Sequence, residues 1–249
     1  MRRAVPNDTR IYAPDAHAQG AIVALPETAA HHLARVLRAA VGDRVIVFND
    51  GIEYGAVITG IDKHGVSVKL EAGSPVDREN PLTCVLAQAI SSGERMDLTL
   101  QKAAELGVRS VQPLYSERSI VRLDAERAIK RAEHWRQVMI SACEQCGRNR
   151  VPDVAAPQPV IEWLGALPPP RDGELRALMA PRADAGLASL APPASVLLMA
   201  GPEGGFTEAE STFAHERGFV ALKLGPRILR TETAALAALA AFNARWGDF

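Results

Sequence analysis

The chain changes its grammar near residue 72, and that change constrains the fold more than any other feature. Beyond it, strand-length apolar runs at 83–90, 110–114, 175–180, 195–200 and 219–222 alternate with helix-length segments at 96–106, 124–146, 207–217 and 234–246. Neighbouring parallel strands need a long crossover, usually a helix, so this alternation predicts an α/β domain with a mainly parallel sheet. Gly107 and Gly147 follow two of the helices, where a left-handed residue closes the last turn. Thr207 and Glu210 have the spacing of a capping box.

Before residue 72 the runs are shorter. Residues 21–25, 44–48, 54–58 and 66–70 read as strands, with Asn49-Asp50-Gly51 and His64-Gly65 as turns between them. Several short strands at this spacing predict a small barrel. One helix is expected across 28–38, with Leu33, Val36, Leu37 and Ala40 on one face and His31, Arg35 and Arg38 on the other. That basic stripe is either a grip for RNA backbone or the solvent face of an amphipathic helix. Residues 73–81 are polar and flanked by proline, so the expected division is a barrel over 1–72, a linker over 73–81 and an α/β domain over 82–249.

At 47% hydrophobic and 23% charged over 249 residues, the chain has enough apolar material for real cores. Its N-terminus shows no apolar leader, and no stretch nears the roughly 20 apolar residues that span a bilayer. With only three cysteines, a reducing, cytoplasmic setting is expected. Cys143-Glu-Gln-Cys146 lacks the second ligand pair that zinc requires, so packing rather than a metal is expected there. The net charge of -1 gives no global sign of a nucleic-acid partner, yet residues 81–150 hold eleven Lys/Arg against eight Asp/Glu. A local basic surface of that kind either meets phosphates or is a solvated helix face.

Ligands of parallel sheets bind beyond the carboxyl ends of strands, and two loops lie there. Gly201-Pro-Glu-Gly-Gly205 follows the apolar run 195–200, and Leu224-Gly-Pro-Arg-Ile-Leu-Arg-Thr-Glu-Thr-Ala234 leads into the last helix. Paired glycines admit a ligand close to the backbone, or simply allow a tight turn. Neither loop is a G-x-G-x-x-G or a P-loop, so dinucleotide and NTP readings lose their usual support.

Taken together, these two loops resemble the signature segments of the ribosomal RNA small subunit methyltransferase E family. The same holds for Gln101-Lys-Ala-Ala-Glu-Leu-Gly-Val108, Ser116-Glu-Arg-Ser119, Ala142-Cys-Glu-Gln-Cys-Gly-Arg-Asn-Arg-Val-Pro152 and His32-Leu-Ala-Arg-Val-Leu-Arg38. The resemblance covers nearly the whole chain. It implies methylation of N3 of one uridine in 16S ribosomal RNA of the small subunit, with S-adenosylmethionine as cofactor. It further implies a SPOUT domain whose trefoil knot holds the cofactor, a PUA-like barrel that helps to bind RNA, and a homodimer. General topology rules argue against a knot, so that expectation rests on the resemblance alone.

Carried over by position, the cofactor site comprises Gly201, Glu203, Gly204, Gly205, Leu224, Gly225, Ile228, Leu229, Arg230, Thr231 and Ala234. The candidate RNA contacts are Arg10, Arg35, Arg38, Arg118, Gln145, Arg148 and Arg150; the last three are also candidates for the facing subunit. Uracil N3 carries a proton and is a poor nucleophile until it leaves. Arg230 is the first choice to stabilise the resulting anion. Glu203 or Glu232 is the candidate proton acceptor, though Glu232 is equally suited to serve the helix N-terminus. Ser92 stands where many relatives carry a lysine, which puts a phosphate contact there in doubt, with Arg95 close enough to substitute. A SPOUT enzyme acting on ribose, and a non-catalytic assembly factor keeping the fold, are the alternative readings.

Overall fold

The structure is a computed structural model that describes residues 8–119 and 125–249. The N-terminal residues 1–7, Arg122 of the basic segment and Asp124, the expected start of the long helix, lie outside the described residues. The chain divides into two compact units. The first runs to Glu79 and includes Ile140–Val151; the second holds Asn80–Met139 and Pro152–Phe249.

In the first unit, β1 (Arg10–Tyr12), β3 (Arg44–Asn49), β4 (Ile52–Asp62), β5 (Gly65–Pro75) and β2 (Ile22–Ala24) form one five-stranded sheet in that spatial order. β1 pairs with β3 in parallel; the remaining pairs are antiparallel. The β3–β4 hairpin closes Asn49 on Ile52, and Asp50 and Gly51 both take positive φ (44° and 87°). Two positive φ values make the mirror-image turn that matches strand twist, which is why Asp-Gly stands there. Val45, Val47, Ala56, Ile58, Val68 and Leu70 fill the core. β5 runs to Pro75, so the expected linker begins as strand. Residues 140–151, expected within the later domain, group with the first unit instead.

The expected helix over 28–38 is shorter and differently wound. α1 spans Glu27–His31, and His32–Val36 forms a π turn in which the Leu37 N–H reaches back to the His32 carbonyl. Arg38 then takes a left-handed conformation (φ 53°) and Ala39 N–H bonds the Leu33 carbonyl, ending the helix. The wider π turn rotates side chains off the 3.6-residue pattern. Leu33 is buried as expected, but Val36, expected on the apolar face, is 62% exposed.

In the second unit, β6 (Thr83–Ala89), β7 (Ser110–Tyr115), β10 (Glu174–Met179), β11 (Ser195–Ala200) and β12 (Val220–Leu222) are the main strands. With the two-residue β8 (Asp153–Val154), their order is β12-β10-β11-β6-β7-β8, and every pair is parallel. A second short strand, β9 (Gln158–Pro159), also pairs with β7. Central β6 and β11 are near-continuous apolar runs, as sheets covered on both faces require.

The helices of this unit are α2 (Gly93–Glu105), α3 (Ala125–Cys146, whose last turns count with the first unit), α4 (Val160–Ala166), α5 (Glu208–Glu216) and α6 (Thr231–Trp246). The capping box at Thr207 and Glu210 is present in both directions. α2 and α6 each begin three residues earlier than their apolar patterns suggest, because the first turn of a helix faces a site rather than the core. Buried Asn243 of α6 donates 2.7 Å to the Leu106 carbonyl just past the end of α2. No helix among the described residues is long and apolar enough to cross a membrane.

Candidate active site

The carboxyl ends of β10, β11 and β12 open into a cleft of about 770 Å3. The two glycine-containing loops predicted to bind a ligand both line it. In the first, Gly205 (φ 68°) donates its N–H to the Pro202 carbonyl at 2.9 Å, closing a tight turn. A Cβ on Gly201 would come within 3.3 Å of the Phe206 ring, and one on Gly204 within 3.2 Å of the Arg118 side chain. Glycine thus relieves tight packing at 201 and 204, and is needed at 205 for its backbone conformation.

The second loop delivers α6. Arg230 is its N-cap residue in extended conformation (φ -66°, ψ 158°), and Ala234 N–H bonds the Arg230 carbonyl at 2.8 Å. Thr231 is the clamp of the site. Its hydroxyl donates to the Gly201 carbonyl and accepts from Gln88 Nε2 at 3.1 Å, so the ends of β6 and β11 and the start of α6 share one side-chain oxygen.

The cleft brings together Gly201, Glu203, Gly204, Gly205, Leu224, Ile228, Leu229, Arg230, Thr231 and Ala234, with Glu232 beside them. Gly225 is the exception: it is exposed, turns the chain at φ 70°, and does not line the cleft. Ile228 is 79% exposed. An apolar side chain left open in a cleft suits a ligand with a flat apolar face. Apolar Leu224, Ile228 and Leu229, with glycines at close approach, make this part of the cleft fit an adenine-bearing cofactor.

The two candidate carboxylates differ in state. Glu203 accepts from Ser92 N–H (3.2 Å), Ser92 Oγ (3.1 Å) and Arg95 Nη1 (2.8 Å). Partial burial pushes its carboxyl up, but hydrogen bonds from its own N–H, Ser92 and Arg95 outweigh burial and hold it below the usual carboxylate value. A carboxylate so held is a poor proton acceptor. In Glu232, by contrast, Oε2 is buried and has no hydrogen-bond partner among the described residues. Buried polar atoms are almost always paired, so this oxygen is left for water or a bound molecule to satisfy.

Sequence reasoning misses the contribution of β10, whose end supplies Met179, Ala180, Pro181 and Arg182 to the cleft. The rule for parallel sheets could have found it, but this stretch carries no glycine signature. Ser92 and Arg95, which stand out in the sequence only as a departure from the family pattern, are the partners of Glu203.

Of the candidate RNA contacts, Arg118 lines the cleft and donates to the Gly204 (3.2 Å) and Phe206 (3.4 Å) carbonyls. Arg35, Arg38 and Gln145 are exposed on the first unit. Arg10 and Arg148 are less open than these. The Arg10 side chain is 10% exposed and engages Glu53, Asn149 and the face of Phe48; that of Arg148 is 5% exposed and forks onto Glu79. Both guanidinium groups are engaged within the first unit. Arg150 pairs with Asp50 nearer the surface. The Cys143 thiol is pushed up to about 12, chiefly by burial, which suits packing and not chemistry.

Two known domain families match the chain: an RNA methyltransferase domain over residues 78–243 and an RNA methyltransferase PUA domain over residues 25–71. The ribosomal RNA small subunit methyltransferase E of Buchnera aphidicola subsp. Schizaphis graminum is 33% identical over 229 residues, covering 91% of this chain and 92% of that protein. The crystal structure of the enzyme of the same name from Neisseria gonorrhoeae, bound to S-adenosyl methionine, is 42% identical. It covers 97% of this chain and 99% of its own, with a TM-score of 0.86. A Legionella pneumophila chain solved in complex with bound cofactor SAM is 39% identical over 97% of this chain and 99% of its own, with a TM-score of 0.91. On these matches, spanning both units and the whole cleft, the chain belongs to the ribosomal RNA small subunit methyltransferase E family.

Proposed function

We propose that this chain methylates N3 of a single uridine in 16S ribosomal RNA, using S-adenosylmethionine bound in the cleft at the ends of β10, β11 and β12. The observation that carries the reading is the pair of unpartnered groups beside the Thr231 clamp: the Arg230 guanidinium and the orphan Oε2 of Glu232. A cation and an unpartnered carboxylate oxygen lining one cleft are what removal of a proton from a uracil nitrogen calls for.

When bound, S-adenosylmethionine supplies an electrophilic methyl group, whose bond to sulfur breaks as uracil N3 takes it. Glu232 accepts the N3 proton. Arg230 stabilises the negative charge that develops on the uracil carbonyl oxygens, its fork being always charged. A carboxylate is a weak base for this step, so most of the acceleration falls to Arg230 and to alignment of N3 with the methyl carbon. Glu203 is assigned to hold Ser92 and Arg95 in place. Gly201, Gly204, Gly205, Leu224, Ile228, Leu229, Thr231 and Ala234 cradle the cofactor.

The rest of the reading is carried over from the family as part of the proposal: a trefoil knot around the cofactor loops, a PUA-like barrel contacting RNA through Arg35 and Arg38, a homodimer, and work in the cytoplasm. The functional division runs from a barrel over 1–72 through the segment 73–81 to a catalytic domain over 82–249, with Arg118, Gln145 and Arg150 as further contacts. The test is transfer of label from S-adenosylmethionine to small ribosomal subunits from cells lacking this gene, followed by nucleoside analysis. Label in 3-methyluridine at one position supports the reading; label on a ribose or another base overturns it.

A further inference from the structure

The charge of the cleft does not match its cofactor. Six cationic side chains line it (Arg95, Arg118, Arg182, Lys223, Arg227 and Arg230) against the carboxylates of Glu203 and Glu232. Arg95 is paired with Glu203, and Arg118 is held by two backbone carbonyls. Arg182, Lys223, Arg227 and Arg230 have no side-chain hydrogen bond or ion pair among the described residues. S-adenosylmethionine is itself a cation, with a sulfonium, an ammonium and one carboxylate. It can neutralise at most one of those four and repels the rest. Concentrating unpaired like charges in one cleft is unfavourable unless an anion joins them.

We infer that Arg182, Lys223 and Arg227 bind the phosphodiesters flanking the target nucleotide, so that the cleft takes up RNA backbone as well as cofactor. This rests on the proposed RNA substrate and deepens it by naming the residues that grip the chain at the point of transfer. A base presented to a buried methyl group must leave its stack, and the cost of that falls to contacts made with its own backbone. Arg182 follows β10, whereas Lys223 and Arg227 follow β12. The three cations therefore come from two neighbouring strand ends, which suits a run of successive phosphates better than one isolated anion. Arg230, nearer the Thr231 clamp in sequence, remains with the uracil.

The experiment uses full-length protein and fluorescently labelled 16S ribosomal RNA, with Kd followed against KCl concentration. S-adenosylmethionine binding is measured in parallel by calorimetry. The variants are Arg182→Gln, Lys223→Gln, Arg227→Gln and the triple combination. The control is Arg171→Gln, which precedes the amino end of β10, the opposite end from the cleft. Removing each phosphate-binding cation should flatten the log Kd against log salt slope by about 0.7. The triple variant is expected to lower that slope by about 2 and weaken RNA binding at least about tenfold at low salt. Its cofactor affinity should stay within about threefold and its melting temperature should hold, while the control keeps the wild-type slope. An unchanged slope in the triple variant overturns the inference, even if the wild type methylates RNA normally. Equal losses of RNA and cofactor binding also overturn it, by assigning these cations to the cofactor. Failure of the wild-type protein to bind or methylate the RNA would instead bring down the underlying functional reading.

Discussion

The arginines of the first unit and those of the second-unit cleft have the same chemistry and opposite circumstances. In the first unit Arg10, Arg78, Arg148 and Arg150 each face a carboxylate: Glu53 is shared by Arg10 and Arg78, Glu79 meets Arg148, and Asp50 meets Arg150. Burial raises the Glu53 carboxyl, but bonds from Arg78 and Arg10 more than offset it and leave the group below its usual value. In the cleft, Arg182, Arg227 and Arg230 face no carboxylate among the described residues. A buried pair costs desolvation that only good geometry repays, so its members cannot be spared for a ligand. An unpaired guanidinium in a cleft keeps its charge available. Pairing state and burial together set Arg10 and Arg148, held inside the first unit, apart from the exposed and unpaired arginines of the cleft.

That contrast can be broken or sharpened by experiment. The largest effect is expected from Arg148→Ala, which strands Glu79 and should cost roughly 3–5 kcal/mol of stability in urea unfolding. Any RNA binding by the folded fraction should persist; a stable variant with diminished RNA affinity would erase the distinction. Arg230→Ala should instead leave the melting transition in place and lower kcat about 10²–10³-fold, with cofactor affinity nearly kept. Equal losses in both would make Arg230 a binding residue only.

Glu203 tests the carboxylate half of the same idea. As an occupied group it should tolerate Glu203→Gln with less than about a tenfold loss of kcat, whereas a general base contributes about 10²-fold or more. Because its folded value lies below its unfolded one, the stability it contributes is complete above the ordinary carboxylate value. That contribution fades as pH falls through the lowered one. Acid unfolding of the wild type and of Glu203→Gln should therefore diverge at neutral pH and converge in strong acid. The smallest effect is expected from Arg150→Ala: the pair with Asp50 is largely open to water, and such pairs contribute about 1 kcal/mol or less.

Much of this is legible in the sequence, and the limits are instructive. Strand–helix alternation, the Asp50-Gly51 hairpin, the Thr207 capping box and the two cleft loops are local signals, each carried within a dozen residues. The partners of Arg148 and Arg150 lie 69 and 100 positions away, so charge is readable but pairing is not. Arg10 and Arg148 accordingly read as RNA contacts in the sequence and are interior in the fold. The two-residue strands β8 and β9 are too short for any periodicity, and Val160–Ala166 is a helix of barely two turns behind Pro157 and Pro159. The π turn at His32–Val36 defeats a 3.6-residue reading by construction.

The Thr231 hydroxyl has a further consequence, in time rather than in space. The three segments it joins, ending at Gln88, Gly201 and Thr231, are separated by 143 and 30 positions along the chain. Contacts of such long separation form late in folding, after loops have been closed at an entropic cost. The cleft is therefore expected among the last features to appear. During refolding, helical and strand signals should recover before the protein regains affinity for its cofactor, and the cofactor can reward only chains that have already docked their final helix.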